Sequence, residues 1–82
     1  RGAPESPHAH MFFVELSLAL QKLPLDQREA LILVAAQGMS YEEAAEVCGC
    51  APGTMKSRVN RARNRLSELL AVQRGEMESG AA

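Results

Sequence analysis

Residues 51–66 read APGTMKSRVNRARNRL, and the rest of the sequence is interpreted around this stretch. Pro52 suits the first turn of a helix, where a backbone N–H has no intrahelical partner to lose. At about 100° per residue, the apolar side chains that follow fall on one stripe of a helical face. The members of this stripe are Met55, Val59, Ala62, Leu66 and Leu69. The pattern therefore predicts a helix over residues 52–70 that packs one face on the rest of the domain.

The face opposite this stripe is basic and rich in amides. Residues 56–65 carry five positive charges and no acid, on a chain whose net charge is only −1. A DNA duplex interacts electrostatically with the charges on the nearest face of the protein, because exposed charges are screened beyond a Debye length of about 8 Å. Such a concentration is typical of a helix that lies on nucleic acid. The alternative interpretation is a solvated surface whose charges pair with neighbouring acids.

A shorter helix is predicted directly upstream, over residues 40–48. Ser40 is suited to cap its N-terminus, Glu43 completes a capping box, and Gly49 can adopt the left-handed conformation that ends a helix. A capped helix, a glycine-containing turn and a longer basic helix are typical of a helix-turn-helix, whose second helix enters the major groove.

Four motifs follow one another along the chain. They are LPLDQREA at residues 23–30, GMSYEEAA at 38–45, GTMKSR at 53–58 and RAR at 61–63. Over residues 11–72 the chain thereby resembles region 4 of bacterial RNA polymerase sigma factors, in particular the extracytoplasmic-function group. The turn CGC at residues 48–50 is similar to the alphaproteobacterial general-stress branch of that group. A counterpart of the promoter-melting region 2 is absent, so the chain is expected to be a fragment.

This resemblance implies an all-α, four-helix domain with a C-terminal helix-turn-helix and no wing, acting as a monomer without a cofactor. It also implies recognition of the promoter −35 element in double-stranded DNA, and transcription initiation at stress-response genes. The implied protein partners are the RNA polymerase core, through the flap element of its beta subunit, and an anti-sigma factor. The surface expected to bind the anti-sigma factor lies on the first two helices and includes Phe12, Phe13, Leu16, Leu31 and Val34.

The residues expected to bind DNA all lie on the basic helix. Arg61 has the donor geometry to contact guanine in the major groove, and Thr54 at the helix N-terminus suits a phosphate. Arg58, Arg63 and Arg65 are expected to reach the DNA backbone or to pack their stems along the apolar stripe. The full set is Thr54, Lys56, Ser57, Arg58, Asn60, Arg61, Arg63, Asn64 and Arg65.

The rest of the chain is predicted to form two further helices and two unstructured ends. Residues 11–23 and 26–37 have helical apolar patterns, and the second is so apolar that we place it in the middle of the bundle. Residues 1–10 lack periodic apolar positions and are interpreted as a disordered linker or a non-native extension. Residues 73–82 are interpreted as a flexible tail, which leaves 11–72 as the domain.

Several other classes of protein are not expected. No apolar run approaches the roughly 20 residues of a membrane span, so a cytoplasmic location is expected. No nucleophile elbow, phosphate-cradling glycine loop or carboxylate pair with a histidine appears, so an enzyme is not expected. His8, His10, Cys48 and Cys50 could supply four zinc ligands. No metal site is expected, because the histidines lie in the segment interpreted as disordered and free cysteine packs well near a helix end.

Two other functions are compatible with a helix-turn-helix of this kind. One is a sigma-like decoy that sequesters an anti-sigma factor, for which the basic residues Lys56, Arg58 and Arg61 would have no use. The other is the output domain of a response regulator, which would bind operators as a dimer. The sigma-like run over residues 53–63 weighs against the second alternative.

Overall fold

The computed structural model describes residues 7–75 of the 82-residue chain, with Pro7 described by its backbone alone. The described residues form four helices and contain no β-strand. The helices are α1 (Pro7–Gln21), α2 (Leu25–Leu31), α3 (Tyr41–Cys48) and α4 (Pro52–Gln73), and a π-helical turn (Ile32–Ala36) extends α2. The predicted all-α fold with a C-terminal helix-turn-helix is confirmed. None of these helices is both long and apolar enough to cross a membrane.

The outer ends of α1 and α4 differ from the predicted boundaries. α1 begins at Pro7, so the last four residues of the predicted linker are helical, and residues 1–6 lie outside the described residues. α4 continues to Gln73, three residues beyond its predicted end. Residues 76–82, most of the predicted tail, also lie outside the described residues.

Contacts with α1 account for the greater length of α4. The Gln73 side chain donates a hydrogen bond from Nε2 to the main-chain oxygen of Glu15 at 3.0 Å. The next residue, Arg74, forms an ion pair with the Glu15 carboxylate at 3.3 Å, and its guanidinium lies 5.8 Å from the ring centre of Phe12. These contacts between distant parts of the chain hold the last turn of α4 against α1.

The C-terminal end of α1 comes two residues earlier than predicted. After Gln21 the chain leaves the helix through a tighter turn, in which the Leu23 N–H donates to the oxygen of Leu20 at 3.1 Å. Pro24 causes this, because a proline disfavours helical geometry in the residue before it. Leu23 is nevertheless buried, and so contributes to the core from outside the helix.

The apolar run that follows α2 forms a π-helical turn and contains no fully buried residue. The Gln37 N–H donates to the oxygen of Ile32 at 3.0 Å, one residue further back than an α-helical bond. Ala30 and Leu31 are buried before this turn, whereas Ala35 within it is exposed. Only one face of the segment is covered, and the prediction that it lies in the middle of the bundle is wrong.

The helix-turn-helix has the predicted start and stop signals. The Ser40 Oγ accepts a hydrogen bond from the Glu43 N–H at 3.0 Å, and the Glu43 carboxylate accepts one from the Ser40 N–H at 2.9 Å. Gly49 ends α3 at a φ of 71°, and the Cys50 N–H donates to the oxygen of Ala45 at 3.0 Å. This Schellman-type ending turns the chain directly into α4.

α4 is the central helix, since α1, α2 and α3 all pack against it. Of its predicted apolar stripe, Met55, Val59 and Ala62 are completely buried, Leu69 is nearly so, and Leu66 is half-buried. The surrounding helices and turns contribute Ala19, Leu23, Ala30, Leu31, Ala44 and Ala45 to the same core. Four of these six are alanines, which allow the helix axes to approach closely. The stripe thus sets which face of α4 points outward.

Candidate nucleic-acid interface

The outward face of α4 carries nearly all of the residues predicted to bind DNA. They are exposed there because the buried stripe occupies the opposite side of the same helix. The exposed members are Thr54, Lys56, Ser57, Asn60, Arg61, Arg63, Asn64 and Arg65. The exception is Arg58, which is half-buried.

Three cations on this face have no acidic partner. Within residues 7–75, no carboxylate lies within ion-pair distance of Lys56, Arg61 or Arg63. Their charges therefore act on the surrounding solvent and attract polyanions. The alternative interpretation, that the charges pair with neighbouring acids, applies only to Arg58 and Arg65.

Arg65 pairs with an acid on its own helix. Its Nη1 lies 3.2 Å from the Glu68 Oε1, and both side chains are just over half exposed. An exposed pair of this kind is screened by salt and contributes only about 0.2–1 kcal/mol, so a phosphate can compete with Glu68 for the guanidinium. The spacing of three residues is visible in the sequence and could have identified the pair.

Arg58 faces the protein more than the solvent, with 27% of its side chain exposed. Its Nε lies 3.8 Å from the Asp26 Oδ2 at the start of α2, and its Nη1 lies 3.8 Å from the Cys50 Sγ in the turn before α4. Of the two expectations from the sequence, these contacts support packing against the protein. Neither Asp26 nor Cys50 was identified as a partner, because no local spacing connects them to Arg58.

The N-terminus of α4 has no side-chain cap. Ala51 occupies the capping position and makes no side-chain hydrogen bond to the helix. Within residues 7–75, no side chain caps the N–H groups of this first turn, and such groups can bind an anion. A Cβ added at Gly53 would meet no atom within 4 Å, so the surface there is open.

An apolar groove lies on another side of the domain, between α1, the π-helical turn and α4. Its volume is about 270 Å³. The lining residues are Leu16, Leu20, Leu31, Ile32, Ala35, Ala36 and Leu66. Ile32 and Ala35, both in the π-helical turn, are exposed and line this groove.

The structure divides the five residues predicted to bind a protein partner. Leu16 and Leu31 line the groove, although Leu31 is only 7% exposed and belongs to the core. Phe12 and Phe13 are exposed near the N-terminal end of α1, and Val34 packs against the core. The apolar groove is thus built largely from residues that the prediction omitted.

The possible zinc ligands are not brought together. Cys48 and Cys50 are free thiols and half-buried, and His8 and His10 lie in α1. Among the described residues, no three side chains of histidine, cysteine, aspartate or glutamate form a cluster that could hold a metal ion. Cys48 instead packs against the hydrophobic core.

Comparisons with known proteins match this architecture to one family. A family model described as sigma-70, region 4 matches residues 13–66. The chain is 66% identical over 68 residues to the ECF RNA polymerase sigma factor EcfG of Rhodopseudomonas palustris (strain TIE-1), covering 83% of this chain and 38% of that protein. It is 51% identical over 61 residues to the ECF RNA polymerase sigma factor SigC of Mycobacterium tuberculosis (strain CDC 1551 / Oshkosh), covering 72% of this chain and 33% of that protein.

A solved structure gives the same result. The chain is similar to the sigma factor RpoE in its co-crystal structure with the anti-sigma factor NepR from Bartonella quintana, with a TM-score of 0.68 and 64% sequence identity. The match covers 71% of this chain and 36% of that chain. The chain therefore spans about a third of the length of the relatives it matches.

Proposed function

Because the chain belongs to the sigma-70 region 4 family, we propose that it recognises the −35 element of promoter DNA and so directs RNA polymerase to initiate transcription, in particular of stress-response genes. The observation that carries this proposal is the exposed face of α4, where Lys56, Arg61 and Arg63 have no acidic partner among the described residues. A decoy for an anti-sigma factor has no need of such a face.

In this proposal α4 enters the major groove and its residues have two kinds of task. Arg61 donates two hydrogen bonds to a guanine edge, and Asn60 contacts an adjacent base. Lys56 and Arg63 bind phosphates on either side, and these contacts set the position of the helix without reading sequence. The remaining exposed residues in contact with bases or phosphates are Thr54, Ser57, Asn64 and Arg65.

The buried stripe supports this task because it orients the helix. Met55 and Val59 are completely buried on the side opposite the exposed face, so α4 cannot rotate about its axis without exposing apolar surface. The short turn after α3 and its glycine constrain the start of the helix in the same way. The base-reading side chains are therefore presented on a fixed face.

Selection of bound duplexes from a random library tests the proposal. We expect enrichment of one motif at low ionic strength, where an isolated domain without the avidity of further contacts still binds. Lys22→Ala, which removes an exposed cation outside α4, should leave the enriched motif unchanged, whereas Arg61→Ala should abolish or broaden it. Absence of enrichment with the wild-type chain would contradict the proposal and favour the decoy.

We further propose that the apolar groove and the exposed end of α1 bind protein partners, namely the flap element of the RNA polymerase beta subunit and an anti-sigma factor. The groove supports this because its lining is almost entirely apolar and includes Ile32 and Ala35 from the π-helical turn. Phe12 and Phe13 extend the exposed apolar surface along α1. The flap element and the anti-sigma factor would then compete for the same surface. A bound anti-sigma factor would thereby prevent binding to RNA polymerase.

A charge placed in the groove tests this second proposal. Ala35→Glu adds a carboxylate to an exposed groove position, and we expect it to weaken binding to RNA polymerase core enzyme because the charge must be desolvated in the complex. Leu25→Glu is the matched control, since Leu25 is 61% exposed and does not line the groove. Titration of core enzyme with labelled chain measures both variants, and equal weakening by the two substitutions would contradict the assignment.

A further inference from the structure

We propose that Arg58 is a positioning residue, which holds the recognition helix α4 against the start of α2 and makes no contact with a DNA phosphate. The inference rests on the proposed function, because the position of α4 matters to binding only if α4 reads DNA. It separates Arg58 from the other cations of residues 56–65, which are exposed.

The contacts of Arg58 join three separate segments of the chain. Its side chain begins on α4, its Nε lies 3.8 Å from the Asp26 carboxylate on α2, and its Nη1 lies 3.8 Å from the Cys50 sulfur in the helix-turn-helix turn. The Asp26 carboxylate is itself held, because its Oδ1 accepts a hydrogen bond from the Gln27 N–H at 2.8 Å. The other carboxylate oxygen is the one that lies near Arg58.

The environment of Arg58 differs from that of the cations proposed to bind phosphate. Arg63, on the same helix, is exposed and has no carboxylate partner among residues 7–75. Arg58 is half-buried and lines a cleft together with Glu29, Leu33, Val47 and Cys48. Its Nε and Nη1 lie near Asp26 and Cys50, so these two atoms face the protein and not a DNA duplex.

The pair with Asp26 connects the two proposed binding surfaces. α2 leads directly into the π-helical turn that lines the apolar groove, and α4 carries the DNA-binding face. Loss of the pair frees α4 to shift relative to α2, so Arg61 meets its base edge in a less favourable geometry. The number of phosphate contacts stays the same.

DNA titrations over a range of salt concentrations test this role. On the preferred duplex we expect Arg58→Ala to weaken binding about two- to fivefold, the size expected for loss of one partly exposed ion pair. The slope of log affinity against log salt should stay within about half a unit of the wild-type slope, since no phosphate contact is lost. Arg63→Ala is the matched control, and it should lower the slope by about one unit.

Asp26→Asn gives the sharper test. A positioning role for Arg58 and a purely electrostatic role for Asp26 predict changes in DNA affinity of opposite sign. Removing an acid makes the chain more positive, so electrostatics alone predicts tighter binding to every duplex. Positioning through Arg58 predicts weaker binding to the preferred duplex and a smaller ratio of preferred to scrambled affinity. Asp26→Glu keeps the carboxylate and should recover most of that ratio.

The effects of Arg58→Ala and Asp26→Asn on DNA affinity should not add in the double variant, since both substitutions remove the same interaction.

Two results would overturn the positioning role. One is a loss of about one unit of salt slope in Arg58→Ala, as expected of a phosphate contact. The other is tighter binding by Asp26→Asn. Thermal unfolding should accompany the titrations, and Asp26→Asn keeps the test valid if Arg58→Ala unfolds, because Asp26 is 56% exposed. A wild-type chain that bound preferred and scrambled duplexes equally would overturn the proposed function and the positioning role together.

Discussion

The arginines of α4 are chemically identical, and their surroundings separate them into three groups. Arg58 packs against α2 and the turn, Arg65 pairs with Glu68, and Arg61 and Arg63 are exposed without acidic partners among the described residues. A guanidinium binds whichever anion its surroundings place within reach, so residue type alone does not determine its task. Substitutions at single positions can therefore distinguish these groups.

Arg61 is expected to read sequence. If it contacts a base edge, Arg61→Ala should cost about 1–3 kcal/mol on the preferred duplex and much less on unrelated DNA. Arg63→Ala, if Arg63 binds a phosphate, should instead weaken binding to all duplexes by similar factors. Equilibrium titration with preferred and scrambled duplexes measures both. An equal loss on the two duplexes for Arg61→Ala would move Arg61 into the phosphate-binding group.

Glu68 is expected to restrain DNA binding through its pair with Arg65. Glu68→Gln removes the competing carboxylate and so should tighten binding to all duplexes at low salt, by up to about 1 kcal/mol, the upper value for an exposed pair. The effect should fade as salt rises, because both charges are exposed and screened. Glu42→Gln, an exposed acid on α3, serves as the control for the change in net charge. An effect of the same size in both variants would exclude a specific role for the Arg65 pair.

At the scale of elements, the helix-turn-helix depends on backbone signals that act locally. The capping box of Ser40 and Glu43 satisfies N–H groups at the start of α3, and the positive φ of Gly49 ends the helix. These signals act within a few residues, so where α3 starts and stops does not depend on contacts with distant parts of the chain. The direction in which α4 leaves the turn follows from the same glycine.

Gly49 is expected to stabilise the fold only because glycine tolerates a positive φ at this position. A Cβ added there would meet no atom within 4 Å, yet φ is +71°, where an L-residue costs about 1–2 kcal/mol. Gly49→Ala should therefore lower the free energy of unfolding by about that amount. Gly53→Ala is the matched control, because Gly53 also has open space but lies inside α4, where alanine gains up to about 1 kcal/mol. Urea unfolding measures both, and destabilisation of equal size in the two variants would contradict a backbone cause.

At the scale of the whole molecule, stability depends on the central position of α4. The three other helices pack on its buried stripe, and Met55 and Val59 are the largest side chains that are completely buried. A domain of this size buries a limited fraction of its surface, so its margin of stability is small. Loss of one central side chain therefore affects every helix.

Met55→Ala is expected to destabilise the whole domain. Truncation of a fully buried methionine costs about 2–5 kcal/mol, a large share of the roughly 5–15 kcal/mol that holds a typical domain folded. Val47→Ala is the control, because Val47 is 63% exposed and should change the free energy of unfolding by less than about 0.5 kcal/mol. Circular dichroism during thermal unfolding measures both variants. A small effect of Met55→Ala would contradict the central position of α4.

Local pattern in the sequence was sufficient to predict the helices and the orientation of α4. Helix periodicity repeats within a few residues, so the apolar stripe from Met55 to Leu69 predicted both the buried side and the exposed basic side. The Ser40 capping box and the Gly49 stop were predictable for the same reason, since each involves neighbours along the chain. The motifs over residues 11–72 also identified the family correctly.

Only the tertiary structure decided which side chains meet across the chain. The ion pairs of Arg58 with Asp26 and of Arg74 with Glu15 join residues far apart in sequence, and no periodic pattern encodes such contacts. The π-helical turn was equally unpredictable, because the apolar run over residues 30–36 has the composition of an ordinary helix and nothing in it marks the shift in hydrogen bonding. Whether a helix face is buried depends on which other helices pack against it, and this is known only once the helices are packed together. The sequence therefore determined the helices and the exposed basic face of α4, whereas packing determined the central helix, the apolar groove and the ion pairs that Arg58 and Arg74 form with other helices.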